Sequence, residues 1–254
     1  MIGLFETMLV HVRGATLVPP LLPFHVERLA QSLRIAFGIP LEPGAVRAAL
    51  VAADVRTSSP HIVRLECRVA EGVAVLAART RELARIHEPL RLLPFTLTRT
   101  DQPPTPWLKS LAREFWEDRE RQVADTDGEP LAIDTEGLVL ESSRGNVLAF
   151  VDGEFVTPPL DGRILPGIGR AALLRGLRAR GHRVTERPLH IRELATACLW
   201  STNAVRGARA ASLTDALAVG DLWVRDLLED VWRREVCGVP RHSRRISPGE
   251  EAAG

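Results

Sequence analysis

The chain has 254 residues, 45% of them apolar and 26% charged, with a formal net charge of +1. That length can bury a sizeable core in one large or two modest domains. The near-neutral charge excludes the broad basic field that nucleic acid or an anionic membrane surface would call for. No apolar run is long enough to span a bilayer, and residues 1–5 lack the charged start of a secretory signal. The three cysteines, Cys67, Cys198 and Cys237, are scattered, as expected of a reduced, cytoplasmic protein.

In chain order, strands are predicted at 4–10 and 16–18 around a turn at Gly14. A helix over 25–37 follows, with Val26, Leu29, Leu33, Ala36 and Phe37 as its apolar stripe and His25, Arg28 and Ser32 on a neighbouring face. A second helix near 43–53 and strands at 62–65 and 73–76 complete a first α+β unit. The charged stretch 79–88 reads as a connector, and a new strand starts at 90. A proline-rich loop over 100–106 leads to Lys109, placed at the start of a helix over 107–124. Turns at 127–128 and 136–137 bracket a strand at 131–134. Strands at 138–141, 146–151 and 154–157 then alternate with glycine-containing turns, as in a β-meander. The turn 165–170 opens a helix to about 180. A strand at 183–186, a helix at 191–196, a strand at 197–201 and an amphipathic helix over 220–236 complete the order. Residues 241–254 are polar and expected to be disordered.

Lys109 is the only lysine; the remaining 32 of the 33 Lys and Arg residues are Arg. A guanidinium stays protonated in a protein, whereas an amine can lose its proton and attack a carbonyl. A position still Lys in such a background is a candidate for chemistry, the plain alternative being a surface lysine. Glu141 ends a predicted strand. Beside a pyridine nitrogen such a carboxylate favours the protonated ring; otherwise it is a solvated side chain. The turn 165–170 has two glycines and feeds a helix start, whose N–H groups suit a phosphate. Arg28 could pair with that phosphate through two parallel bonds, or be one solvated arginine among many. The seven histidines are dispersed and form no metal-ligand spacing, and no GxSxG elbow points to a serine hydrolase.

Together these segments resemble the class-IV aminotransferases, the fold-type-IV PLP (pyridoxal 5'-phosphate) enzymes. Leu4-Phe5-Glu6-Thr7 resembles the first strand of that family, and His25-Val26-Glu27-Arg28-Leu29 with Ser32 its H-x-x-R-L-x-x-S helix. Leu108-Lys109-Ser110-Leu111 is similar to the Schiff-base lysine segment, and Glu141 through Asn146 to its E-x-x-x-x-N stretch. Thr157-Pro158-Pro159-Leu160 and Ile164 to Arg170 resemble TPPL…LPGITR, with Gly169 where threonine is usual. The resemblance implies an α+β fold with a small domain over 1–84 and a larger PLP-binding domain with a pseudo-barrel core over 85–240. It implies a homodimer and PLP carried by Lys109. Arg28, Ile168, Gly169, Asn203 and Ala204 would hold the phosphate, and Glu141 would meet the pyridine nitrogen. Thr7, Arg64 and Arg206 are the substrate-side candidates.

Phe5-Glu6-Thr7 and Thr202-Asn203-Ala204-Val205-Arg206-Gly207 are similar to the lyase branch, which implies conversion of 4-amino-4-deoxychorismate to 4-aminobenzoate and pyruvate. The alternatives are an aminotransferase of branched-chain or D-amino acids and a non-catalytic homologue. The last is suggested by the absence of tyrosine and of a counterpart to the family's strand ahead of Gly3.

Overall fold

A computed structural model describes residues 3–13, 16–53, 61–83, 89–98, 101, 103, 105–126, 128–214 and 222–237, with the side chains of 11–18, 125 and 237 excepted. Along β1 (Gly3–Arg13), Leu4, Glu6, Met8 and Val10 alternate with Phe5, Thr7 and Leu9, as the two-residue strand period demands. The apolar members of the first set pack on Leu29 and Leu33 of α1 (Leu22–Phe37) and on Val46 and Leu50 of α2 (Ala45–Ala52). Val63, Leu65 and Cys67 of β3 (His61–Ala70) close the same core. With β2 (Thr16–Val18) and β4 (Val73–Glu82) these strands form an antiparallel sheet in the order β2-β1-β3-β4. Strand β4 therefore runs through 79–82, which the charge pattern assigned to a connector. Its charged residues Arg79, Arg81 and Glu82 are exposed on an edge strand, where charge deters edge-to-edge pairing.

The second sheet contains β5 (Leu90–Thr96), β6 (Gly128–Ile133), β7 (Val139–Ser142), β8 (Gly145–Val151) and β9 (Glu154–Thr157), then β10 (Val184–Glu186), β11 (Cys198–Asn203) and β12 (Gly207–Ser212). Six of them close a ring, β8-β11-β12-β5-β6-β7, because β7 also pairs with β8; β9 and β10 extend from β8 outside it. Leu92, Leu131, Val139, Val147, Ala149 and Leu199 share one buried cluster. The alternate residues Leu148 and Trp200 face α4 (Ile168–Arg178) and α5 (Leu222–Trp232) instead. This is the α+β, barrel-centred fold expected. No helix among the described residues is long and apolar enough to cross a membrane.

The largest departure concerns Lys109. Helix α3 spans Glu114–Gln122, not 107–124. The Lys109 carbonyl accepts from Phe5 N–H (2.9 Å), and Leu111 N–H donates to the Gly3 carbonyl (2.8 Å). Those backbone groups are committed to β1, so the segment cannot wind into a helix. Strand β12 (GARAAS) was not foreseen: it has no β-branched residue, and its pairing with β11 and β5 overrides local propensity. Residues Ile191–Ala195 form a 3-10 turn, and α5 continues into a π-helical turn over Arg233–Cys237. The polar tail 241–254 lies outside the described residues.

Candidate active site

Glu6 is the one charged residue of the inward set on β1, and it is 1% exposed. Its Oε1 accepts from Arg28 Nε (2.9 Å), and its Oε2 from Arg28 Nη2 (2.5 Å) and His25 Nδ1 (2.6 Å). Burial works to raise the Glu6 pKa, but Arg28 and the His25 bond overcome it and hold it at about 2. Burial keeps the His25 imidazole below its ordinary value. Arg28 Nη1 donates to the Pro166 carbonyl (2.9 Å), just ahead of α4. Three of the five guanidinium donors are thus engaged, leaving one N–H on each Nη for an anion.

Helix α4 begins at Ile168 behind Gly167, with no side chain capping its free N–H groups, the condition in which a helix start receives a phosphate. A Cβ at Gly167 would overlap Asn146 Oδ1, and one at Gly169 would overlap the Asn203 carbonyl group. Both positions are glycine because other residues occupy the side-chain space. Asn203 Oδ1 accepts from the N–H groups of Val205 (3.0 Å) and Arg206 (2.8 Å), so the 203–206 turn meets α4 through its backbone. Ala204 packs with Ile168 in a small apolar cluster.

Glu141 is 8% exposed. Its Oε2 accepts from Leu165 N–H (3.0 Å) and Asn146 Nδ2 (3.3 Å), and its Oε1 makes no hydrogen bond among the described residues. Burial raises the Glu141 pKa to about 8 against the Leu165 bond and the nearby charges of Lys109, Arg113 and Arg28. Glu141 and Asn146 are directly paired across the β7–β8 hairpin, so the E-x-x-x-x-N spacing is a cross-strand contact.

Lys109 brings its Nζ to 4.5 Å from the Phe5 ring centroid. Burial, and then Arg28, push its pKa down to about 7; Glu6 and Glu141 oppose the fall, and Arg113 adds to it. A substantial share of this amine is therefore unprotonated at neutral pH, the form that attacks a carbonyl. Arg28, Glu141, Ile168, Gly169, Asn203 and Ala204 are linked by the contacts above, and Lys109 lies within the field of Arg28 and Glu141. Thr7 is paired across strands with Arg64, whose guanidinium carbon is 3.9 Å from the Phe5 centroid. Arg206 lies in the β11–β12 turn. Sequence reading assigned no role to Glu6, Asn146 or Arg113. A carboxylate among inward-facing apolar residues was a signal for Glu6, whereas Arg113 had none among so many arginines.

The amino-transferase class IV family model matches residues 3–213. The chain belongs to that family. Its members are PLP-dependent aminotransferases and lyases. No curated protein matches the sequence. Solved structures similar in fold include a hypothetical aminotransferase from Mycobacterium tuberculosis in its apo form, 21% identical, TM-score 0.79, covering 93% of this chain and 89% of that one. A Legionella pneumophila protein provisionally assigned as a 4-amino-4-deoxychorismate lyase is 24% identical, with TM-score 0.78 and 92% and 91% coverage. A branched-chain aminotransferase from Thermoproteus uzoniensis, solved with norvaline, is 20% identical, with TM-score 0.79 and 93% and 86% coverage. The site residues suit the family's cofactor: a partly unprotonated lysine, a buried carboxyl with an open oxygen, and an arginine with two free donors beside an uncapped helix start.

Proposed function

We propose that this class-IV enzyme is a lyase that converts 4-amino-4-deoxychorismate to 4-aminobenzoate and pyruvate, with Lys109 as the covalent anchor of PLP. The observation that carries the lyase reading is the turn 202–207. Thr202 Oγ1 donates to the Asn146 carbonyl (3.2 Å), Asn203 caps the turn, and Gly207 adopts φ +70 against Trp232. Each lyase-type residue named there has a structural task in holding the turn against α4.

Bound PLP supplies an electron sink for the charge left when a proton leaves the amine-bearing carbon. The two remaining N–H groups of Arg28 and the free N–H groups of Ile168 and Gly169 would hold its phosphate. Glu141, which keeps its proton in this buried setting, would hold a proton at the ring nitrogen. Lys109 Nζ accepts the proton from substrate C4. It returns a proton to the departing enolpyruvyl group, which leaves as pyruvate while the ring becomes aromatic.

Incubation with 4-amino-4-deoxychorismate tests the reading by assaying both products, with keto-acid-dependent amino transfer measured in parallel. Amino transfer without pyruvate release would make the protein an aminotransferase of branched-chain or D-amino acids. Neither activity, together with no cofactor uptake, would make it a non-catalytic homologue. Borohydride reduction followed by peptide mapping should leave the cofactor on Lys109. The same reading implies a homodimer, and light scattering of the purified holoenzyme checks it.

A further inference from the structure

Two carboxylates near the lysine are each shared by two guanidinium groups. Glu66 accepts from Arg64 Nε (3.0 Å) and from Arg68 Nη2 (3.0 Å). Glu120 accepts from Arg113 Nη2 (3.1 Å) and, on both oxygens, from Arg144 (3.1 Å each). These two clusters contain four positive charges and two negative ones, a surplus of two. Glu117, exposed on α3, bears on Arg113 without an ion pair, and Arg79, cross-strand from Arg64, adds a further positive charge.

Both clusters reach the reacting lysine. Arg64 and Lys109 Nζ contact the same Phe5 ring, at 3.9 and 4.5 Å from its centroid. Arg113 follows Lys109 by four residues, and its Nη2 also meets the carbonyl of Ser143 (3.4 Å), two residues past Glu141. The charge of Arg113 is felt at Lys109 and at Glu141, and Arg64 and Arg113 feel each other. Arg113 has a side chain only 20% exposed, and its Nε and Nη1 make no hydrogen bond among the described residues. Arg64 engages only Nε. A half-paired guanidinium so placed is unfavourable until an anion arrives.

We propose that Arg64 and Arg113 are the substrate-binding groups of this site, each taking one carboxylate of a substrate that carries two, with the amine-bearing carbon at Lys109 between them. This rests on the PLP-enzyme reading and narrows it: a dicarboxylate amine is favoured and a branched-chain monocarboxylate is not. Arg64 was already a sequence candidate; Arg113 joins it on geometry alone.

Calorimetry on the holoenzyme tests this with two dicarboxylates of different span, isophthalate and glutarate, against benzoate and butyrate. At least one dicarboxylate should bind about tenfold or more tightly than its monocarboxylate partner, as a charge-assisted hydrogen-bonded contact warrants. Arg64→Gln and Arg113→Gln should each bring that preference close to parity and raise KM far more than they lower kcat. Arg64→Lys and Arg113→Lys should restore part of it, and circular dichroism verifies that each variant is folded. Equal binding of mono- and dicarboxylates to the wild type, or a preference that survives both Gln variants, overturns the proposal. Cofactor absorbance, read on the same samples, separates that outcome from failure of the PLP reading, which would appear as no cofactor uptake.

Discussion

Glu6→Gln removes the charge that fixes Arg28 while nearly preserving shape. The amide offers one oxygen in place of two and turns an N–H toward a guanidinium or imidazole donor, leaving the Arg28 charge uncompensated in a buried setting. The Glu6 pKa falls from the usual 4.5 to about 2, which corresponds to about 3 kcal/mol at roughly 1.4 kcal/mol per pH unit. That lies within the roughly 3–5 kcal/mol typical of removing one partner from a buried pair, and the Glu6 side chain is 2% exposed, so solvent screening is slight. The sign follows from protonation: the unfolded carboxyl takes its proton near 4.5 and the folded one near 2. The stabilisation is therefore complete above the first value and is lost as pH falls through the second. Urea unfolding followed by tryptophan fluorescence should place Glu6→Gln about 3 kcal/mol below wild type at pH 7. The gap should narrow to less than half by about pH 3. A deficit under about 1 kcal/mol at pH 7 would refute the reasoning, since it would equate the pair with a surface salt bridge, and so would a gap that stays constant on acidification.

Three further outcomes follow from the same geometry. Covalent loading of PLP requires the unprotonated amine, so with Lys109 at about 7 its rate should rise about tenfold from pH 6 to pH 8; stopped-flow absorbance measures it, and a flat profile would contradict the assignment. Glu141→Gln should lower kcat by about a hundredfold or more as a proton-holding group is lost. In the cofactor-free protein it should be stabilising at alkaline pH. The folded Glu141 carboxyl keeps its proton up to about 8 and the unfolded one loses it near 4.5, so wild-type stability drains as pH rises through that window, and urea titrations at pH 5 and pH 9 compare the two proteins. Gly169→Thr would drive a side chain into the Asn203 backbone, at about 1–3 kcal/mol of overpacking. It should weaken PLP binding, read by equilibrium titration; unchanged affinity and stability would mean the turn yields freely.

Local pattern revealed what local chemistry controls. The strand alternation of β1, the stripe of α1 and the glycines at 167 and 169 were legible because each answers to a constraint within a few residues. The solitary lysine stood out against arginine for the same reason. What was not legible depends on contacts across the chain. Lys109 was assigned to a helix because its neighbours do not reveal that β1 takes their backbone bonds. Strand β12 is alanine-rich and exists because β11 and β5 flank it. Asn146 acquires its meaning when the hairpin sets it opposite Glu141, and Glu6 when α1 lays Arg28 across it.

The arginine background also shapes the chemistry. Arg28 and Arg113 both act to lower the Lys109 pKa, and neither can relieve that pressure by shedding its own proton. A lysine in either place could share the titration and blur it. With permanent cations on its flanks and protonated Glu141 offering little countercharge, Lys109 is the basic group of this cluster that changes charge near neutrality. Glu6 stays ionised down to about pH 2 and holds Arg28 in place. The division of labour is therefore electrostatic: charges that do not titrate set the position and field, and one amine is left free to exchange a proton.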